Sequence, residues 1–245
     1  MAVDGSDPDQ QRSERRFFGG MAALIILIAV VGFARTYFLR SLLPVSTPVP
    51  LALTPLIHLH AVLLIGWVLL FYVQARLIDA RRVDLHHRFG VAGGVIAGLI
   101  VGIGALVAIQ SVVRGVGPFG MDPRRFLIIP LFAVGIFAVF VVAGIRARRD
   151  PQSHKRLMLL ATIALLPPAI ARWVLLLGLG PPVILAVASL LVVPLVVWDA
   201  TSRGSLHPVT LWGGLLVVVS GPVRLLLGQT DGWLAVSSWL VGLVA

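Results

Sequence analysis

Along this chain, apolar positions neither alternate nor keep to one helical face. They fill continuous runs of about 18–25 residues, and short polar segments part the runs. Each run is long enough to cross a hydrocarbon core ~30 Å thick as a helix. The pattern predicts an all-α fold, a polytopic membrane helix bundle of seven transmembrane helices over 17–39, 50–75, 89–113, 126–146, 157–178, 182–198 and 209–227. Residues 1–16 read as a polar, mobile N-terminal tail and 17–231 as the bundle. The last stretch, "GWLAVSSWLVGLVA" at 232–245, is too short to cross and reads as an interfacial or re-entrant segment anchored by Trp233 and Trp239. The first run, "FFGGMAALIILIAVVGFA", is longer than a signal-peptide core and lacks a clear A-x-A site, which predicts an uncleaved first helix.

Composition agrees with the pattern. The 245 residues are 58% hydrophobic and 12% charged, against about 25% charged in soluble chains. A net charge of +10 would point to nucleic acid in a soluble protein. Here the arginines sit in short loops between apolar runs, so their role is topogenic and no nucleic-acid partner is expected. On the N-terminal side lie Arg12, Arg15, Arg16, Arg76, Arg81, Arg82, Arg88, Arg146, Arg148, Arg149, Lys155, Arg156 and Arg203. The other side has Arg35, Arg40, Arg114, Arg124 and Arg125. That asymmetry predicts a cytoplasmic N-terminus and an outer C-terminus. The absence of cysteine excludes disulfides, thiol catalysis and cysteine-ligated metals.

Two loops on the N-terminal side resemble each other: "RRVDLHHRFG" before span 3 and "RRDPQSHKRLM" before span 5. Aligned, His86 matches His154 and Arg88 matches Arg156, as duplicated hairpins would. Helix N-termini flanked by Arg and His attract anions such as lipid phosphate or a haem propionate. Solvated positive-inside loops explain the same residues. If the hairpins pack side by side, His87 and His154 lie at one depth on facing helices, as bis-histidine haem ligation requires.

Ionisable groups inside spans are costly and mark candidate sites. His58 and His60 lie about 12–15 Å from the outer end of span 2, and Arg172 about 9 Å from the outer end of span 5. Arg224 and Gln110 also fall in the outer half, so four spans send polar groups there. His60, Trp67 and Gln74 recur every seven residues and form one inward stripe. Pro167 and Pro168 interrupt span 5, leaving the carbonyls of Ile163 and Ala164 without their usual donors, and Arg172 follows one turn later. No carboxylate is expected well inside a span, because Asp199 reads as a cytoplasmic end. A buried Arg172 then calls for a bound anion or a carbonyl cage, and a proton- or sodium-coupled carrier lacks the usual acidic relay. The glycine-rich span 3 predicts close helix packing. No nucleophile–base–acid set is visible, and Ser111, Ser189 and Ser220 read as backbone-bonding serines.

The segments "HLHAVLLIGWVLLFYVQARL", "DLHHRFGVAG", "HKRLMLLATIALLPPAIARW" and "HPVTLWGGLLVVVSGPVRLLLGQTDGWLAVSSWL" resemble a group of bacterial multi-pass membrane proteins whose shared pattern carries no known activity. On this chain the pattern picks out His60, His87, Arg88, His154, Arg156, Arg172, Arg224, Thr230 and Trp233. The chain reads "HHRFG" where the pattern has a single histidine, which leaves His86 and His87 as alternatives. The resemblance implies a bacterial inner membrane. A looser likeness to diheme cytochromes of the b561 and ferric-reductase kind implies histidines holding haem b on facing helices. Three readings stay open. One is a haem- or quinone-binding redox or sensory protein, with His60, His87 or His154 as iron ligands and Arg172 or Arg224 for propionates. The second is a carrier or channel for a small, anionic solute. The third is a noncatalytic membrane partner or assembly factor. The expected partners are the lipid bilayer and either a membrane redox protein or a second copy of the chain.

Overall fold

The structure, a computed structural model, describes residues 8–43, 53–115, 117 and 120–244. Every regular element among the described residues is a helix, and none is a strand. Seven helical spans are long and apolar enough to cross a membrane: Asp9–Phe38, Pro55–Asp79, Val83–Val113, Pro123–Arg146, Pro151–Val174, Pro181–Arg203 and Pro208–Leu227. The protein is an all-α, multi-pass membrane bundle. Its helices are α1 (Pro8–Phe33, continued by a π-helical turn Ala34–Phe38), α2 (Pro55–Asp79), α3 (Val83–Val113), α4 (Pro123–Phe126), α5 (Ile128–Arg146) and α6 (Pro151–Ala164). They are followed by α7 (Pro167–Leu176), α8 (Pro181–Leu190), α9 (Val193–Arg203), α10 (Pro208–Leu227) and α11 (Asp231–Gly242).

Three helices begin earlier than hydropathy indicates: α1, α3 and α6 start at Pro8, Val83 and Pro151 rather than 17, 89 and 157. Hydropathy marks only the lipid-facing length, whereas helix starts are set by capping chemistry. Asp150 accepts from the backbone N–H of Gln152 and Ser153, with Pro151 at the first position. Hydrogen bonds from Ser153 and its own helix N-terminus hold the Asp150 carboxyl below its usual range. Thr54, Asp122, His207 and Thr230 cap α2, α4, α10 and α11 in the same way. The expected mobile tail is therefore partly a correction: from Pro8 the chain is helical and tied down. Gln10 donates to the Ser202 carbonyl, Glu14 pairs with Lys155, and Arg15 pairs with Asp79 at 3.5 Å. Residues 1–7 lie outside the described residues.

α6 is the central element. In its span, 61% of the most apolar window is buried, against 11% for Pro55–Asp79. Leu159, Leu160, Ala161 and Ile163 are almost wholly buried among Phe137 and Phe140 of α5, Ile25 of α1 and Leu195 of α9. α2 and α3 form one hairpin and α5 with α6 another; α3 and α5 join them, α1 packs on α2 and α7, and α10 on α5, α6 and α8. The α1–α7 contact is backbone-close. A Cβ at Gly32 would lie 2.6 Å from the Ala169 carbonyl oxygen, where no side chain can give way. Gly32→Ala is expected to cost about 1–3 kcal/mol, read as a lower midpoint of thermal unfolding in detergent.

The inward stripe of α2 is present. Trp67 is buried, donates from Nε1 to Thr162 Oγ at 3.2 Å and meets Phe137 edge-on, while Gln74 donates to the His86 carbonyl at 3.1 Å. Glycine packing in α3 is one-sided: Gly93 and Gly104 press on Leu70 and Val134, whereas Gly94, Gly98 and Gly102 face open space. α11 is held at the end opposite the arginine-rich loops. Trp233 Nε1 donates to the Arg124 carbonyl at 3.0 Å, and Arg125 Nη1 donates to the Gln229 carbonyl at 2.5 Å.

Candidate functional site

Spans 5 and 6 are each broken in two. α6 stops at Ala164, where Leu165 and Leu166 close tight turns onto the carbonyls of Thr162 and Ile163, and α7 restarts at the Pro167–Pro168 pair. The Ile163 carbonyl is thus satisfied by Leu166, not orphaned as the proline spacing suggested. α8 stops at Leu190 and α9 restarts at Val193, a break that no proline at the end of α8 announces. α10 runs through Pro222, which deprives one of its carbonyls of a donor.

The α6–α7 break, the end of α8 and the Pro222 stretch of α10 border one narrow cleft of about 10 Å³, room for about one water molecule. Ala164 and Pro167 line it from the α6–α7 break, Ser189 from the end of α8, and Ser220, Gly221 and Arg224 from α10. Ile136, Ile163, Leu185 and Val217 make its apolar walls. Along α10, Arg224 lies about 24 Å from the helix start, in the half away from the arginine-rich loops.

Arg224 is the one ionisable side chain lining the cleft among the described residues, and it is only 5% exposed. Nε donates to the Ser220 carbonyl at 3.0 Å and Nη2 to Ser220 Oγ at 2.7 Å, while Nη1 stands 3.4 Å from the Ile129 carbonyl. Every acceptor is neutral. All three guanidinium nitrogens are thus engaged, two of them with Ser220 of the same helix and one with Ile129 of α5.

The remaining outer-half residues do not converge on this cleft. Arg172 bonds Thr36 Oγ at 2.9 Å and the Pro168 carbonyl, with its guanidinium 4.0 Å from the Phe33 ring centroid. That is a cage of neutral groups, with the π-helical turn of α1 supplying the hydroxyl. His58 shares a 3.0 Å hydrogen bond with Tyr37 on the same turn. His60 faces Gly104, and its buried Nδ1 has no partner. Gln110 is half-buried near the end of α3. No hydrogen bond or ring contact joins His60, Gln110, Arg172 and Arg224 to one another among the described residues.

The histidines at the arginine-rich end meet in a different pairing from the expected one. His86 stands between His87 and His154, with ring centroids at 5.8 Å and 6.2 Å, and no ring contact joins His87 to His154. His87 and Arg88 are exposed. His154 is held at Nδ1 by the Gly144 carbonyl at 2.8 Å. Gly104, which His60 touches, is 18 residues beyond His86 along α3, or about 27 Å, so His60 and His86 cannot share an iron. No group of three or more His, Cys, Asp or Glu side chains is arranged to hold a metal ion among the described residues.

The expected equivalence of Arg88 and Arg156 fails, and Asp199, which lies near the arginine-rich end of its span as expected, is buried there. Arg156 and Asp199 are both fully buried and paired. Arg156 Nε donates to both Asp199 oxygens at 3.2 and 3.3 Å, and Nη2 donates to Oδ1. Nη1 donates to the carbonyl and side-chain oxygens of Gln152 at 2.9 and 2.7 Å. Asp199 Oδ2 also accepts from the His207 backbone N–H at 3.1 Å and from Thr210 Oγ. The pair ties α6, α9 and α10 together at the arginine-rich end. Asp199 is the only acidic residue between Asp150 and Asp231, a signal available in the sequence.

His207 caps α10 beside this pair, its Nδ1 accepting from the Val209 N–H at 3.1 Å. Burial first, then the charges of Arg156 and Arg203, push its imidazole below the ordinary 6.5, against the weaker pull of Asp199 and Asp150. The unfolded chain thus takes the proton more readily than the folded one. The stability His207 contributes is complete above about pH 6.5, falls as the pH drops below it, and levels off beneath the folded value. Thermal midpoints in detergent are expected to decline from about pH 7.5 to about 5.5. His207→Asn, which keeps a capping oxygen, is expected to flatten that part of the decline.

No family model, curated protein or solved structure matches this chain.

Proposed function

We propose that the protein is a carrier for a small organic anion, with the cleft at Arg224 as its binding site. The observation that carries this reading is the gathering of two interrupted spans and the proline-bearing α10 around one buried cation. Half-helices meeting at membrane depth serve carriers in two ways: their ends supply polar groups to a solute, and their breaks act as hinges. A guanidinium with neutral partners only, walled by Ile, Leu and Val, favours an anion over a cation or a sugar. The Arg156–Asp199 pair joins α9, the second half of span 6, to α6 and α10, and so closes the bundle on the arginine-rich side. The arginine asymmetry and the family resemblance support a bacterial inner membrane with that side in the cytoplasm.

The haem reading receives less support. Of His60, His87 and His154, no two are ring neighbours, and none of them lines the cleft.

The absence of native cysteine makes the test direct. Single cysteines at Val217 and Ser189 are to be probed with a charged, membrane-impermeant thiol reagent in right-side-out and inside-out vesicles. A carrier predicts that each position is labelled from both sides, and that small organic anions slow the labelling. Labelling from one side only, unchanged by any anion, contradicts the carrier reading.

A further inference from the structure

The first turns of α1 are joined to the bundle in a different way from the rest of that helix. We infer that Pro8–Phe18 is a hinged strap: it swings about Gly19–Gly20, and so opens and closes the way from the arginine-rich face to the buried Arg156–Asp199 pair. The strap works in this way whether or not the cleft at Arg224 carries an anion.

The hinge is written in the sequence. Two adjacent glycines weaken a helix, because each leaves the backbone freer than alanine would. Close packing offsets that loss at the other two glycine pairs of this chain: Gly93 presses on Leu70, Gly213 on Leu160 and Gly214 on Val192. Gly19 and Gly20 have no such neighbour, since a Cβ at either would meet nothing within 4 Å. Packing does not call for them, and a flexible joint does. They lie inside α1, between its polar first turns and its apolar run.

The contacts of the strap are of a kind that can part. Glu14 pairs with Lys155 of α6, Arg15 with Asp79 of α2 at 3.5 Å, and Gln10 donates to the Ser202 carbonyl of α9 at 3.0 Å. The side chains of the two ion pairs are between 22% and 40% exposed, so parting them hands each charge to water and strands none. Asp79 also keeps Arg76, 3.1 Å away. Arg15 gains by leaving, because its buried Nε has no hydrogen-bond partner while the strap is closed.

Aromatic rings hold the closed position. Phe17 stacks on Trp198 of α9 with ring centroids 4.8 Å apart. Phe18 is buried, and its ring centre lies 5.1 Å from Lys155 Nζ and 6.0 Å from the guanidinium carbon of Arg156. Because Phe18 precedes the hinge, it moves with the strap, and its withdrawal uncovers Arg156 on the side of α1. The closed state prevails because opening gives up these ring contacts.

The test uses the full-length protein in lipid nanodiscs, where the absence of native cysteine makes introduced thiols unique. Spin labels at Ser13→Cys and Thr201→Cys, both exposed positions, report the distance from strap to α9 by pulsed electron resonance. A separate Phe18→Cys variant reports access through its rate of labelling by a charged maleimide. The expected result is a main short distance with a minor long one. Glu14→Gln, which keeps the shape and breaks the pair with Lys155, raises the long fraction and the labelling rate by about two- to fivefold. Gly19→Ala combined with Gly20→Ala lowers both by about tenfold and raises the thermal midpoint. A single short distance in the wild-type background and in Glu14→Gln, with labelling unchanged, overturns the strap. A long fraction that the glycine double variant leaves unchanged overturns the hinge. A long fraction that grows in Glu14→Gln without faster labelling of Phe18→Cys overturns the route to Arg156.

Discussion

Replacing Asp199 by alanine is expected to cost about 3–5 kcal/mol, enough to unfold much of the protein at growth temperature. The loss comes from the partner left behind. Arg156 is fully buried, and without the carboxylate its Nε and Nη2 lose the acceptors they bond. Thr210 Oγ and the His207 N–H lose their acceptor in the same step. Three helices, α6, α9 and α10, come apart at one point. Removing both charges is a different experiment. A paired Arg156→Met and Asp199→Leu exchange fills similar volume with apolar atoms and leaves no ion stranded, so it is expected to recover most of the stability. Thermal unfolding of the two single variants and the double variant measures this. A double variant as unstable as Asp199→Ala would mean that the pair holds the helices by more than mutual neutralisation.

Arg224→Gln is expected to reduce uptake of the transported anion by roughly 30- to 150-fold, the equivalent of about 2–3 kcal/mol for a charge-assisted hydrogen bond lost from a desolvated site. Gln is too short to keep the Nη1 bond to Ile129 and the Nη2 bond to Ser220, but it strands no charge, so the loss of stability should be smaller than for Asp199→Ala. That contrast separates the two buried arginines. Arg156 is committed on every donor to protein partners, and its loss is read in folding. Arg224 is held by neutral acceptors alone, and its loss is read chiefly in flux. Measuring uptake and thermal midpoint on the same preparation distinguishes them.

The bundle itself is legible in the sequence because long apolar runs leave a helix as the only way to satisfy the backbone in lipid. Arg224 and Arg172 are legible for a related reason, since a cation inside such a run stands out. The partners are another matter. Asp199 directly follows Trp198 at the end of its apolar run, where an exposed end residue and a buried one look the same. Its pairing with Arg156, 43 positions away, depends on α9 folding back beside α6. The similar loops around His86 and His154 suggest equivalence, yet Asp150 caps α6 while Asp84 pairs with Arg82 at 3.7 Å and caps nothing. That local difference accompanies the larger one: α6 runs through the centre of the bundle, while α3 leaves Arg88 and His87 on its surface. The break between α8 and α9 was invisible because "AVASLLVVPL" is uninterrupted in hydropathy, and Pro194, at a first-turn position of α9, reads equally well inside one continuous span.

The most direct test of the account is anion counterflow in proteoliposomes that hold the purified wild-type protein, with empty liposomes and Arg224→Gln proteoliposomes alongside. A carrier gives saturable exchange of a labelled organic anion that depends on the protein and collapses in the variant, itself shown to be folded by its thermal transition. Exchange no faster than in empty liposomes, from protein shown to be folded, would contradict it.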